Sequence, residues 1–280
     1  MLKTRTFLAA MRTARPAAVT RVAVAVLAAA ALFLATAPGA IAQQAAQKPG
    51  NISRVYFSKA KPGSEAEYEA GRKRHVEAHR QMGDTWTWVV FQVETGDRAG
   101  TYDTVTSEHH WKEFDEWEQK HGEADAADVA KNLTPHSVDG GNAFFMYLRD
   151  ASMTPAGQEM APPDPLIELL HFELKIGASQ EFERAITRAT EAIRKTKWAS
   201  NFHWYSLVNG GQSPHYLLAL PKKAWAEMEP PAVPFPVMLE KGLGAAEAKT
   251  VLAAFDKTVA REYSEMVRFR PDLSYVPEKE

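Results

Sequence analysis

The feature that most constrains this 280-residue chain is a strand, a turn and a helix that occur twice, 114 positions apart. In the first copy the strand is Ile52-Ser-Arg-Val-Tyr-Phe-Ser58 and the turn is Lys61-Pro-Gly63. A helix follows from Ser64 to Met82, with Glu67 three residues after Ser64 in the spacing of a capping box. The second copy has Leu166 to Leu174 as strand, Lys175-Ile-Gly177 as turn and Ser179 to Lys197 as helix. The offset persists beyond these elements: Gly63 and Gly177, Tyr68 and Phe182, Tyr102 and Tyr216, and Trp111 and Trp225 are each 114 apart. Four coincidences at one offset, in one element order, predict two structurally equivalent units.

Each unit continues in the same way. Thr85 to Glu94 is rich in aromatic and β-branched residues and is bounded by Gly-Asp pairs, which reads as a strand, and Thr101 to Thr106 is its hairpin partner. Ser107 is the expected cap of a short helix carrying Trp111, Phe114 and Trp117, the acidic run from Glu113 to Glu123 reads as its solvated face, and a further helix is expected over 126–133. Asn142 to Leu148 closes the unit as a fourth strand. In the second unit Phe202 to Val208 and His215 to Leu220 form the hairpin, a proline-rich loop (Pro230 to Pro236) follows, and a long helix is expected from Gly244 to Met266 before a final strand, Val267 to Arg270. The order β-α-β-β-α-β is that of a ferredoxin-like unit, a four-stranded antiparallel sheet with helices on one face. The fold class is therefore α+β, with two ferredoxin-like units packed sheet to sheet as an intrachain α/β barrel. Their boundaries are 52–149 and 166–280, with a linker over 150–165 that holds Pro155, Pro162, Pro163 and Pro165.

The first 42 residues carry five basic residues, no acid and an apolar run from Val22 to Ala35, ending in Ala40-Ile-Ala42. This is the pattern of a secretory signal, so a periplasmic or secreted protein is expected, with a polar lead-in over 43–51 and no membrane span after cleavage. Met11 is an alternative start within that region. The remaining chain has 28 basic against 35 acidic residues, which argues against nucleic acid as a partner. Cysteine is absent, which excludes disulfides, thiolate metal sites and a cysteine nucleophile. No feature of the sequence fixes an oligomeric state.

The Lys61-Pro-Gly-Ser64 turn into a helix, Trp86-Thr-Trp88, the Gly96-Asp97 turn and Trp111 together resemble the dimeric α/β-barrel superfamily, and within it the antibiotic-biosynthesis-monooxygenase-like and NIPSNAP-like groups. The resemblance implies two units forming a barrel, with a cavity that in some relatives holds an aromatic substrate or haem. The Asn-Trp pairing that supports cofactor-free oxygenation in some relatives has no clear counterpart here.

Comparing the two first helices locates the candidate chemistry. Phe182, Ile186, Ala189 and Ile193 correspond to Tyr68, Arg72, His75 and His79, and Leu170 and Phe172 of the paired strand correspond to Tyr56 and Ser58. Helix and strand of the first unit have both become polar where they should touch, and buried polar groups need partners. Three readings stand: a satisfied polar network; a divalent metal on His75 and His79, with a third ligand from elsewhere such as His109 or His110; or a histidine and Arg72 serving as base and anion anchor for an organic acid or phenol. Trp86 and Trp88, Phe202 and Trp204, and His171 are expected, with Tyr56, to line the space between the sheets and hold a small aromatic or apolar molecule. Ligand binding there is the principal expectation, with an oxygenase or peroxidase-like enzyme (cofactor-independent or haem-dependent) and a non-catalytic interaction module as alternatives. A haem would take His171 or His203 as its axial ligand. The chain lacks a Gly-rich phosphate loop, a nucleophile elbow and a paired-carboxylate motif.

Overall fold

The structure, a computed structural model, describes residues 49–155 and 162–278. The expected signal over 1–42, and the lead-in up to residue 48, lie outside the described residues. Eight strands form one closed antiparallel barrel: β1 (Ile52–Ala60), β2 (Val89–Val93), β3 (Thr101–His109), β4 (Ser137–Tyr147), β5 (Leu166–Leu174), β6 (His203–Asn209), β7 (His215–Lys222) and β8 (Val259–Phe269). Around the ring they run β1-β3-β2-β8-β5-β7-β6-β4. The first four strands thus stand in the order β4-β1-β3-β2 and the last four in the order β8-β5-β7-β6. The two blocks join at their edges, where β2 pairs with β8 and β4 with β6. No strand edge is left open in the ring, which removes the exposed edges that two separate sheets would carry.

Helices α1 (Glu65–Gln81) and α2 (Trp111–Asn132) cover the first block, and α3 (Ser179–Thr196), α4 (Phe235–Leu243) and α5 (Ala245–Thr258) cover the second. Two of the residue pairs that lie 114 apart have similar local surroundings. Gly63 and Gly177 both take a positive φ (82° and 80°) at the turn into the first helix of each block, a conformation that costs glycine little. Tyr102 donates to Glu69 at 2.8 Å, and Tyr216 donates to Glu183 at 2.6 Å.

The two blocks differ in what lies between helix and sheet. Under α3, α4 and α5 is a continuous apolar core in which Phe182, Ile186, Ala189 and Ile193 meet Leu170, Phe172, Trp204 and Leu218, each almost fully buried. Each such large side chain contributes about 1.5–3 kcal/mol by leaving water. Under α1 the apolar cluster is small, built on Tyr68, Val90, Tyr102, Leu133 and Leu273, and the rest of the contact is polar. Gly71 lets α1 approach α2 there, since a Cβ on it would lie 2.0 Å from the Asn132 carbonyl oxygen.

Several elements differ from their sequence expectation. Residues 111–132 form one helix, opened at His110, whose N–H donates to the Glu113 carboxylate at 2.6 Å; Ser107 lies within β3 and caps nothing. Ser64 makes no side-chain cap; Glu65 accepts from the Gly63 N–H instead. The expected helix from Gly244 to Met266 ends at Thr258, and β8 begins at Val259. The charges that make β8 look helical are satisfied as strand residues, Glu265 by Arg98 inside the barrel and Arg268 by Glu94. The start of the proline-rich segment is docked rather than loose: Ala151 and Ser152 are buried, and the Ala151 carbonyl accepts from Thr190.

Candidate metal centre between the first two helices and the sheet

The polar face of α1 finds its partners on α2. His75 and His79 are one turn apart, and both are buried. The His75 Nδ1–H donates to Asp128 Oδ2 at 2.8 Å, and the His79 Nδ1–H donates to Asp84 Oδ2 at 2.8 Å. With both Nδ1 atoms serving as donors, each Nε2 presents its lone pair. Those two Nε2 atoms lie 3.1 Å apart, and Asp125 Oδ1 lies 3.6 Å from one and 3.7 Å from the other. Three acceptors therefore converge on one point. A position equidistant from them lies about 2.0 Å from each, the bond length of zinc or a similar ion to imidazole and carboxylate.

Lone pairs at this separation repel unless a proton or a cation stands between them. Burial, with the nearby Arg72 and His79 as lesser causes, lowers the His75 pKa to about 4, so His75 does not supply that proton at neutral pH. Asp125 is shifted upward, by burial first and by the neighbouring Asp84 and Asp128 carboxylates. A divalent ion relieves all three groups. Asp125 is also the exposed side of the centre, its side chain retaining 24% of its accessibility against 7% and 4% for the two histidines.

The supports of this centre are themselves fixed. Asp84 Oδ2 accepts also from Trp88 Nε1 at 2.7 Å, while Oδ1 accepts from Trp117 Nε1 at 3.0 Å and the Trp86 N–H at 2.9 Å. Burial alone would raise the Asp84 pKa, yet these four donors hold it at about 2. The Asp84 carbonyl accepts from the Tyr275 hydroxyl at 2.7 Å, and His79 is stacked between Trp88 and Tyr275, each 5.4 Å away. Asp128 Oδ1 accepts from Asn132, which accepts from Arg74. Carboxylates on the far nitrogens of metal-binding histidines set their orientation and basicity in this way.

Of the sequence-predicted residues, Arg72, His75 and His79 share this buried helix face, with Trp88 against His79 and the Tyr56 ring 6.1 Å from that of Trp88. Burial raises the Tyr56 pKa to about 12. Ser58 bonds to Tyr68, not to a histidine. His109 and His110 are not the further ligands: His109 bonds to Thr106 at 2.5 Å and stacks on Trp86, and His110 opens α2. Asp84, Asp125 and Asp128 were missed. Their signal was the i, i+3 spacing of Asp125 and Asp128, in line with His121 and Asn132, which dividing α2 into two helices conceals.

The expected ligand space between the sheets is a correction. Trp86, Trp88, Phe202 and Trp204 face the helices, because the strand face that carries them is the one covered by α1 to α5. The opposite face, inside the barrel, carries His171, His203, His215, Tyr263, Asp103 and Glu265. Arg98 reaches in from the β2–β3 loop to bond both Asp103 and Glu265. Haem does not fit these histidines. His171 stacks flat on Tyr263 at 4.4 Å, its Nδ1 is 3.1 Å from His215 Nε2, and its Nε2 faces Glu265 at 3.6 Å. His203 Nδ1 is 3.4 Å from the Tyr147 hydroxyl.

No protein-family model matches this sequence, and none of the curated proteins does. Among solved structures the chain is similar to a proposed monooxygenase from Lactobacillus acidophilus, with a TM-score of 0.50 and 8% identity over 82% of this chain and 97% of that one. It is also similar to an anthrone oxidase-like protein (TM-score 0.47, 9% identity, 79% and 91% covered). A third is a mutant chlorite dismutase from Candidatus Nitrospira defluvii (TM-score 0.47, 7% identity, 83% and 96% covered). At these identities the likeness is one of fold alone.

Proposed function

We propose that this chain is a metal-dependent enzyme of the oxygenase class, in which His75, His79 and Asp125 hold a divalent transition-metal ion outside the barrel, and that residues 52–149 and 166–280 are two ferredoxin-like units serving as its scaffold. The observation that carries the reading is the convergence of two imidazole Nε2 atoms and one carboxylate oxygen within 3.7 Å of one another, with both Nδ1 atoms tied to carboxylates. Two histidines and one carboxylate with open positions form the donor set of non-haem iron oxygenases. Such an ion, when bound, would supply Lewis acidity and one-electron redox chemistry.

The protein's own residues do the rest. Asp84 and Asp128 accept the two Nδ1–H bonds and so hold the imidazoles with Nε2 aimed at one point. Trp88, Trp117 and Tyr275 wall the centre and limit water around His79. Asp125 lies on the open side, from which a substrate would approach. The test is metal content and oxygen uptake. Protein stripped with chelator should bind one Fe(II), or Co(II) as a spectroscopic substitute, per chain, and Asp125→Ala should lose that binding while keeping the fold. Iron-loaded protein should consume oxygen with a substrate that the Asp125→Ala variant does not turn over. Substoichiometric binding that Asp125→Ala leaves unchanged would overturn the reading, and a stoichiometric zinc protein without oxygen uptake would overturn the oxygenase assignment.

A further inference from the structure

One turn before His75 on the same face of α1 stands Arg72, and its situation is unusual for a guanidinium. The residue is 6% exposed, its Nε–H has no hydrogen-bond partner, and no hydrogen bond or ion pair to it exists among the described residues. A buried arginine is normally held by a carboxylate, because removing its charge from water costs several kcal/mol unless an anion compensates. Here the corresponding position of the second block, Ile186, shows that the fold requires no charge at that place. Burial pulls the Arg72 pKa down, and Asp125 is one of the charges that acts on it.

Across from α1, the sheet offers a second guanidinium, that of the half-buried Arg54. Arg54 lies 4.5 Å over the Tyr56 ring and 5.1 Å from that of Phe144, and its buried Nε–H also lacks a partner. The Tyr56 ring lies 6.1 Å from that of Trp88, which in turn stacks on His79, so this pair stands on the side of the sheet that faces the two histidines. Two buried N–H donors without acceptors and an aromatic wall, on the side of the sheet that faces the converging His75, His79 and Asp125 atoms, describe a site for a planar anion.

We propose that the substrate is a small aromatic acid, bound as its carboxylate, with one oxygen accepting from Arg72 and the ring lying against Tyr56. The proposal rests on the metal reading only for how the anion meets the ion; the unpartnered Arg72 stands apart from it. A buried guanidinium favours a carboxylate over the neutral amide of the same shape because only the carboxylate compensates its charge.

The experiment uses the full chain labelled with 15N at arginine, observed at the Nε–H resonances, in metal-free and Co(II)-loaded forms. The Arg72 signal is identified by its loss in Arg72→Lys. Benzoate should shift that signal saturably in both forms, and more tightly with cobalt present; benzamide, the neutral control, should not shift it. Arg72→Leu should bind benzoate at least about tenfold more weakly, the loss of one charge-assisted hydrogen bond, with cobalt stoichiometry unchanged. Arg72→Lys, which keeps the charge, should weaken binding less and stands in where Arg72→Leu fails to fold. An Arg72 signal that benzoate leaves unmoved in both forms, or equal affinity in wild type and Arg72→Leu, overturns the anion site. Failure of cobalt to bind, with the benzoate shift intact, overturns the metal reading and leaves the anion site standing.

Discussion

Asp84→Asn isolates the support of the centre without removing a metal ligand. In the wild type the two Asp84 oxygens accept four donors, from His79, Trp88, Trp117 and the Trp86 backbone. An asparagine in the same place has one acceptor oxygen and turns an NH2 toward two of those donors, so at least two hydrogen bonds are lost in a site where the carboxylate side chain is 0% exposed. Buried donors left unsatisfied cost about 1–3 kcal/mol each, which gives about 2–6 kcal/mol for the pair. The depressed pKa is a second route to the magnitude: a fall from 3.8 to about 2 corresponds to about 2.4 kcal/mol of stability. The two agree near the lower end, so we expect a loss of about 2–4 kcal/mol, or about 4–16 °C in Tm for a chain of this size. The assay is urea unfolding at neutral pH in chelator, followed by tryptophan fluorescence, with exposed Asp97→Asn as a control expected to stay within about 0.5 kcal/mol. The sign with pH is fixed as well. A lowered carboxylate pKa contributes stability that is present above pH 3.8 and is lost as the pH falls through about 2, so the gap between wild type and variant should close in acid. A loss below about 1 kcal/mol, or a gap independent of pH, would refute the claim that Asp84 is an ionised anchor.

Two further outcomes follow from groups away from the metal centre. His109, His203 and His215 are each held near pKa 4, chiefly by burial, so the unfolded chain binds more protons than the folded one between about pH 4 and 6.5. Their contribution is complete above pH 6.5 and lost as the pH falls toward 4, which urea midpoints across that window should show, with His109→Gln flattening the dependence. Arg98→Met leaves Asp103 and Glu265 buried inside the barrel without their shared cation and should cost about 3 kcal/mol, the lower end for a broken buried pair because Arg98 itself keeps 32% exposure. A chemical-denaturation loss below about 1 kcal/mol would refute that ledger.

The pattern at an offset of 114 made the α+β element order legible, because Gly63, Gly177 and the paired tyrosines recur at turns and strands without any reference to tertiary contacts. It also made the polar stripe of α1 legible, since the second block supplies the apolar version for comparison. What was hidden was long-range. Glu265 inside β8 looks helical until Arg98 is seen beside it, and Asp84 looks like a turn residue until three indole or backbone donors and an imidazole close on it. Period 2 separates the two faces of a strand but does not say which face the helices cover, so Trp86, Trp88, Phe202 and Trp204 were assigned to the wrong side of the barrel wall. The third ligand was obscured for a plainer reason: an alanine-rich acidic stretch resembles a solvated surface, and Asp125 is half of one.

Tyr275 extends the candidate centre beyond the 50 positions from His75 to Asp125. Its hydroxyl holds the Asp84 carbonyl, its ring lies on His79, and its backbone exchanges two hydrogen bonds with Trp88, just past the β8 strand that closes the ring. An ion that prefers His79 in this pose therefore prefers the chain with its last strand in place. By mass action it adds about 2.7 kcal/mol to the closed barrel at a free concentration one hundred times its Kd. If the proposed ion binds, ring closure and ion capture become one equilibrium, and a chain that stops short of Tyr275 should lose affinity at a site whose ligands it still carries.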